Sequence, residues 1–270
     1  MPRETHDPGE LDPRARAFYT RTLTALDAAG AQFLVGGAYA LGHYTGIERH
    51  TKDFDLFARR GDIETILAVL AAEGCRTELP YPHWLGKAHC GEHFIDVIFS
   101  SGNGVAEVDD EWFAHAHAAE VFGQPVRLCP PEEMIWSKAY VMERERFDGA
   151  DVLHLLRAHG AALDWTRLLG RFGAHWRVLL GHLVLFDFAY PCEREQIPRA
   201  VREELWERVR REMNAPPPPS QRVCHGTLLS REQYLIDVGR WRYRDARLES
   251  DGTMSRKDVE TWTAAIGEPH

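Results

Sequence analysis

The chain has 270 residues, 44% of them apolar and eight of them tryptophan, which is enough to fill two compact domains. A formal charge of -9 opposes indiscriminate binding to polyanions, while a local basic patch can still act against the overall field. The longest apolar run, Val178 to Tyr190, is broken by His182 and Asp187 and is too short to span a bilayer.

The opening "MPRETHDPGELDP" is polar and has no signal-like apolar stretch, so a cytoplasmic protein without a membrane partner is expected. Five scattered cysteines, Cys75, Cys90, Cys129, Cys192 and Cys224, include no C-x-x-C pair and read as reduced thiols.

In chain order, Asp12 and Pro13 open a helix that Gly30 closes, with Phe18, Leu23 and Leu26 at helical spacing. "AQFLVGG" predicts a short strand and "AYALGHY" a short helix. After a loop bearing Arg49 and Thr51, "DFDLFA" predicts a second strand, and "GDIETILAVLAAEG" a helix capped by Asp62. Strands are then expected at "CRTEL", "HWLGKAHC" and "HFIDVIFS", with "SSGNG" as a turn, and at "PVRLCP". From Pro130 the pattern becomes helical: one helix opening on prolines and acids, another near Asp148, and others over about residues 165–189 and 198–213. The run Pro216 to Pro219 marks a stiff linker before "SREQYLIDV", the basic "GRWRYRDAR" and a last helix.

The fold class expected is therefore α+β: a small mixed β-sheet domain over residues 1–129 and a helical domain over 130–214. A C-terminal segment, 215–270, packs on the rest.

Asp53 and Asp55 sit two apart on a strand, so both carboxylates project from one face, about 6 to 7 Å apart at the backbone. Like charges this close are tolerable with a cation between them, unless the strand is an edge facing water. Magnesium prefers carboxylate oxygen and shares its coordination with substrate phosphates. Asp96 is the one polar residue from Phe94 to Phe99 and needs a partner, either the aspartate pair or an arginine or a turn. Beside "DFDLFA" it completes a cluster for two metal ions. Gly36 and Gly37 precede a helix, where bare amides receive phosphate or where the chain simply turns tightly. Neither a Walker loop nor a G-x-G-x-x-G spacing is present.

"VGG", "DFDLF" and "IDVIF" together resemble the nucleotidyltransferase superfamily that shares the DNA polymerase β type of catalytic domain, over about residues 10 to 130. The resemblance implies that Gly36 and Gly37 hold the phosphates of ATP or another nucleoside triphosphate. It implies that Asp53, Asp55 and Asp96 bind two magnesium ions, or manganese in their place, and carry out nucleotidyl transfer. Many members that modify small molecules have a serine after the first glycine, where this chain reads Gly36, Gly37, Ala38.

"WSKAYVMERERFDGADVLHL" looks like the AbiEii-type toxin nucleotidyltransferases. That implies a nucleotide-phosphate contact for Lys138 and raises an antitoxin partner. Asp148, which precedes a clear helix, reads sooner as its N-cap than as a nucleotide-site aspartate. Arg49 and Thr51 are placed to reach a phosphate or to brace their loop. Arg240, Arg242, Arg244 and Arg247 alternate with Trp241 and Tyr243, which suits a strand packed on one aromatic face or a platform for RNA, with tRNA an acceptor to test. The rivals are a toxin of the same chemistry, a drug-modifying enzyme, and a nucleotide-binding regulatory module without turnover.

Overall fold

A computed structural model of the chain describes residues 12–49, 53–216, 222–249, 252–264 and 266. The described residues form two compact units, one running up to Ser100 and including Glu107–Pro130, the other made of Ser101–Ala106 and the described residues from Pro131 onward.

The first unit opens with α1 (Pro13–Ala28), whose N-terminus is capped by the Asp12 carboxylate accepting the Arg14 N–H at 3.1 Å. It continues through β1 (Leu34–Val35), α2 (Gly37–Thr45), β2 (Asp53–Phe57), α3 (Ile63–Ala72), β3 (Arg76–Tyr81), β4 (Leu85–Cys90) and β5 (His93–Ile98). It ends with α4 (Asp110–Ala114), β6 (His117–Val121) and β7 (Gln124–Leu128). The strands make one seven-stranded sheet in the order β3-β4-β5-β2-β1-β7-β6. β2 lies parallel to β5 and β1 parallel to β7, and every other pairing is antiparallel. With a helical second unit, this is an α+β fold.

Two-residue alternation sorts the sheet into an apolar face and a polar one. Phe54, Leu56, Ile95 and Val97 have no exposed surface and share one face. That face is covered by α1, where Tyr19 stacks on Phe54 at 5.0 Å, and by α3, whose Leu67 fills the space beside Gly86. Asp53, Asp55 and Asp96 are left on the opposite face.

Two local expectations are corrected, and one strand is added to those expected. Asp62 stands at the N-cap of α3, but its carboxylate makes no cap bond and pairs with Arg59 at 3.4 Å. Cys75 and Cys90 are not thiols but a disulfide: Arg76 pairs with His89 across β3 and β4, so the next pair outward is Cys75 opposite Cys90, with Cα atoms 4.6 Å apart. β6 is a strand without a sequence signal, held by a two-residue hairpin whose Phe122 and Gly123 both have positive φ, 55° and 77°. Phe122 accepts that conformation because its ring packs against Tyr19, Tyr39 and Phe54.

In the second unit, α5 (Pro131–Lys138), α6 (Gly149–His159), α7 (Trp165–Phe172), α8 (Trp176–Ala189) and α9 (Arg199–Asn214) bury Ile135, Leu155, Leu156, Leu168, Leu179, Phe186 and Leu205 completely. Glu133, also without exposure, is charge-compensated by Arg167 and Arg171. Pro217 to Pro219 lie outside the described residues. Beyond them β8 (Val223–Cys224) pairs with β9 (Arg244–Asp245), flanking the short α10 (Leu235–Gly239), and α11 (Arg256–Ala264) follows. The basic run is therefore not one alternating strand. Arg242 has φ 61°, which breaks the alternation, and Arg247 is fully buried, its Nε and an Nη donating to both carboxylate oxygens of Asp245. Arg240, Trp241, Arg242 and Arg244 remain exposed.

Candidate active site

The pairing of β2 with β5 sets Asp55 directly opposite Asp96 and Asp53 opposite Phe94. Because the strands are parallel and in step, all three acids leave the sheet on the same side. Each offers a carboxylate oxygen within 4.8 Å of the other two. Three oxygen donors this close suit a hard divalent cation, and the residues fit one.

On the far side of β5, β4 places Lys87 opposite Asp96. Its Nζ lies 2.9 Å from Oδ1 and donates to Oδ2 at 3.3 Å. Burial pushes the Asp96 carboxyl above its ordinary value, against the opposing pull of Lys87, and the charge of Asp53 adds to the rise.

The glycines explain how the chain gets past these acids. Gly37 is the first residue of α2 and has φ 53°, and a Cβ there would fall 1.7 Å from Asp55 Oδ2. A Cβ on Gly36 would fall 2.3 Å from the Phe57 ring. The Gly36 N–H is not offered to a ligand, since it donates to the Asp55 carbonyl at 3.0 Å. The first helical bond of α2 runs from the Ala40 N–H to the Gly36 carbonyl, which leaves the amides of Gly37, Ala38 and Tyr39 without an intrahelical acceptor. The bare amides at the start of α2 therefore begin at Gly37.

Two phenols packed on Phe54 feel the charge of the acids. Burial first, then the charges of Asp53 and Asp55, push Tyr19 up to about 12. Tyr39 is also raised, by burial first and then by Tyr19 and the same two aspartates. Both therefore stay protonated at neutral pH. Neither carries a sequence signal, because each reads as an ordinary aromatic of an amphipathic helix.

Arg49 is exposed in the loop after α2, and Thr51 lies outside the described residues. Lys138 ends α5 in the second unit and donates to Asp148 at 3.0 Å and Asp151 at 2.9 Å. Asp148 stands at the N-cap of α6 without capping it, because Arg146 and Lys138 claim its oxygens. Burial alone would raise the Asp148 carboxyl, but the hydrogen bonds from Arg146 and the charge of Lys138 overcome it and hold the group at about 2.

A depressed carboxyl stabilises the fold above its unfolded pKa, and that contribution disappears as pH falls through its folded value. Urea unfolding between about pH 5 and pH 2 is expected to show a loss of about 2 kcal/mol from this group. Lys138→Ala, which leaves two buried acids short of a partner, is expected to cost about 3 kcal/mol at neutral pH.

Residues 15–179, more than half of the chain, match the model of a family described as uncharacterised nucleotidyltransferase. The chain belongs to this family. No curated protein matches it. Among solved structures, this nucleotidyltransferase resembles the antibiotic-resistance factor ANT(2″)-Ia with 20% identity and a TM-score of 0.46, over 64% of this chain and 98% of that one. It resembles the lincosamide antibiotic adenylyltransferase LnuA with 14% identity and a TM-score of 0.39, over 54% and 96%. For the Megavirus polyadenylate synthase the values are 11% and 0.37, over 56% and 33%. Likenesses of this strength add nothing to the family assignment. Among the described residues no helix is long and apolar enough to cross a membrane.

Proposed function

We propose that the chain is a metal-dependent enzyme that moves a nucleoside monophosphate from a nucleoside triphosphate to an acceptor hydroxyl. The observation that carries this reading is the convergence of Asp53, Asp55 and Asp96 beside the N-terminus of α2, in a chain of the nucleotidyltransferase family.

Asp53, Asp55 and Asp96 would hold magnesium or manganese. Bound there, such cations neutralise phosphate charge and make a hydroxyl more acidic. The amides of Gly37 and Ala38, with the α2 dipole behind them, receive the β and γ phosphate oxygens. Asp96 faces the same space and accepts the acceptor's proton. A bond forms between the acceptor oxygen and the α-phosphorus, the bridging bond to the β-phosphate breaks, and pyrophosphate leaves. Arg49, Thr51 and Lys138 are assigned to the nucleotide; of the three N–H donors of Lys138, Asp148 and Asp151 take two.

The test is transfer of label from each α-labelled triphosphate, with magnesium, to RNA, tRNA, protein or small hydroxyl compounds. Carboxylate-dependent labelling of one acceptor class supports the proposal and names the acceptor. Tight binding of triphosphate without turnover on any class would favour a regulatory module instead.

A further inference from the structure

The triad described above has a fourth member that neither the D-x-D spacing nor the glycine cradle accounts for. Lys87 stands in one cross-strand row with the acids: Glu78 of β3, Lys87 of β4, Asp96 of β5 and Asp55 of β2 are successive register partners. Side chains at such positions share a face and lie within reach of their neighbours. Of the two acids flanking Lys87, Glu78 is already taken, its carboxylate held by Arg76 at 2.8 Å and His89 at 2.9 Å. Lys87 therefore pairs with Asp96, and both side chains are largely buried, 25% and 14% exposed.

We infer that Lys87 is an internal counter-ion for the acid cluster, held on Asp96 and competing for it with any divalent cation that Asp53, Asp55 and Asp96 bind. This rests on the reading of the three acids as cation ligands. Three carboxylates within 4.8 Å repel one another, and one ammonium at the third relieves that repulsion when no cation is bound. The same ammonium then competes with the cation. A divalent ion that uses Asp96 meets the ammonium's like charge at a part-buried ion pair, so its measured affinity is lowered by the cost of weakening or releasing the Lys87 contact. A triphosphate offers the released ammonium a new anionic partner, which favours cation binding together with nucleotide over cation binding alone. The Phe94 ring, 5.0 Å from Nζ, gives the cation a second surface to rest on while it moves. Lys87 is in this sense a positioning residue, acting through Asp96.

The experiment is calorimetric titration of the full chain with manganese chloride, with and without a non-hydrolysable triphosphate. It compares wild type, Lys87→Met, Lys87→Arg and the Asp53→Asn, Asp55→Asn double variant. Lys87→Met is expected to bind manganese at least about tenfold more tightly than wild type in the absence of nucleotide, since a competing charge is gone. Its melting temperature is expected to rise more on adding manganese than that of wild type. Lys87→Arg, which keeps the charge, is expected to resemble wild type.

A purely structural lysine gives the opposite sign, because loosening the site weakens binding. Unchanged or weaker manganese binding by Lys87→Met, with binding still abolished in the double aspartate variant, overturns the counter-ion inference and leaves the enzyme reading standing. Manganese binding that ignores Asp53 and Asp55 in every form of the protein overturns both.

Discussion

Replacing Asp53 and Asp55 together by asparagine is expected to reduce nucleotidyl transfer by about a thousandfold or more while leaving the protein folded. The activity loss follows from what the two groups do in the proposed reaction. Charge stabilisation by cations at a phosphoryl centre amounts to several kcal/mol, and about 4 kcal/mol corresponds to about a thousandfold in rate. The stability side follows from the fold. Both residues are only part-buried, on the face of β2 opposite Phe54 and Leu56, so the core beneath them is untouched. Asparagine also keeps the shape and removes two like charges from a crowded cluster. Label transfer and urea unfolding on the same preparation check both halves. Transfer within tenfold of wild type in a normally stable variant would sink the enzyme proposal, because no other described group of three potential ligands exists to replace this one.

The legible part of this chain is what local periodicity and capping can say, for its helices as for its strands. "DFDLF" alternates, so its acids had to share a face, and Asp96 in an apolar strand had to find a partner. Which strand lies beside which is not local information, and the unread features all depend on it. Lys87 is an ordinary lysine in "HWLGKAHC" until β4 is set antiparallel to β5, when it becomes the partner of Asp96. Cys75 and Cys90 carry no spacing signal because their pairing is a consequence of register between β3 and β4. β6, "HAAEV", has little β-propensity and exists through its hairpin with β7. In the other direction, "GRWRYRDAR" alternates strongly in sequence, yet one positive φ at Arg242 and the burial of Arg247 against Asp245 undo the pattern. Alternation predicts a face only where the backbone stays extended.

Gly37→Ala is the single methyl addition expected to do the most damage, and its cost has two separable parts. The first is conformational: φ is 53° at this position, and a non-glycine residue held in the left-handed region costs about 1–2 kcal/mol. The second is the collision. The added Cβ would lie 1.7 Å from Asp55 Oδ2 and 2.6 Å from its Cγ, so the carboxylate has to swing away by more than an ordinary adjustment. Displacing a catalytic group by about 1 Å already costs about a hundredfold in rate, so transfer is expected to fall by about a hundredfold or more. Stability is expected to fall by about 2 kcal/mol. Gly46→Ala separates the two effects, because Gly46 also has positive φ, 70°, yet a Cβ there meets nothing within 4 Å. That variant is expected to lose about 1 kcal/mol of stability and keep its activity. If Gly37→Ala behaved like Gly46→Ala in both assays, the placement of Asp55 against the start of α2 would be incidental to the chemistry. The carboxylate would then be working from a position other than the one the glycine leaves open.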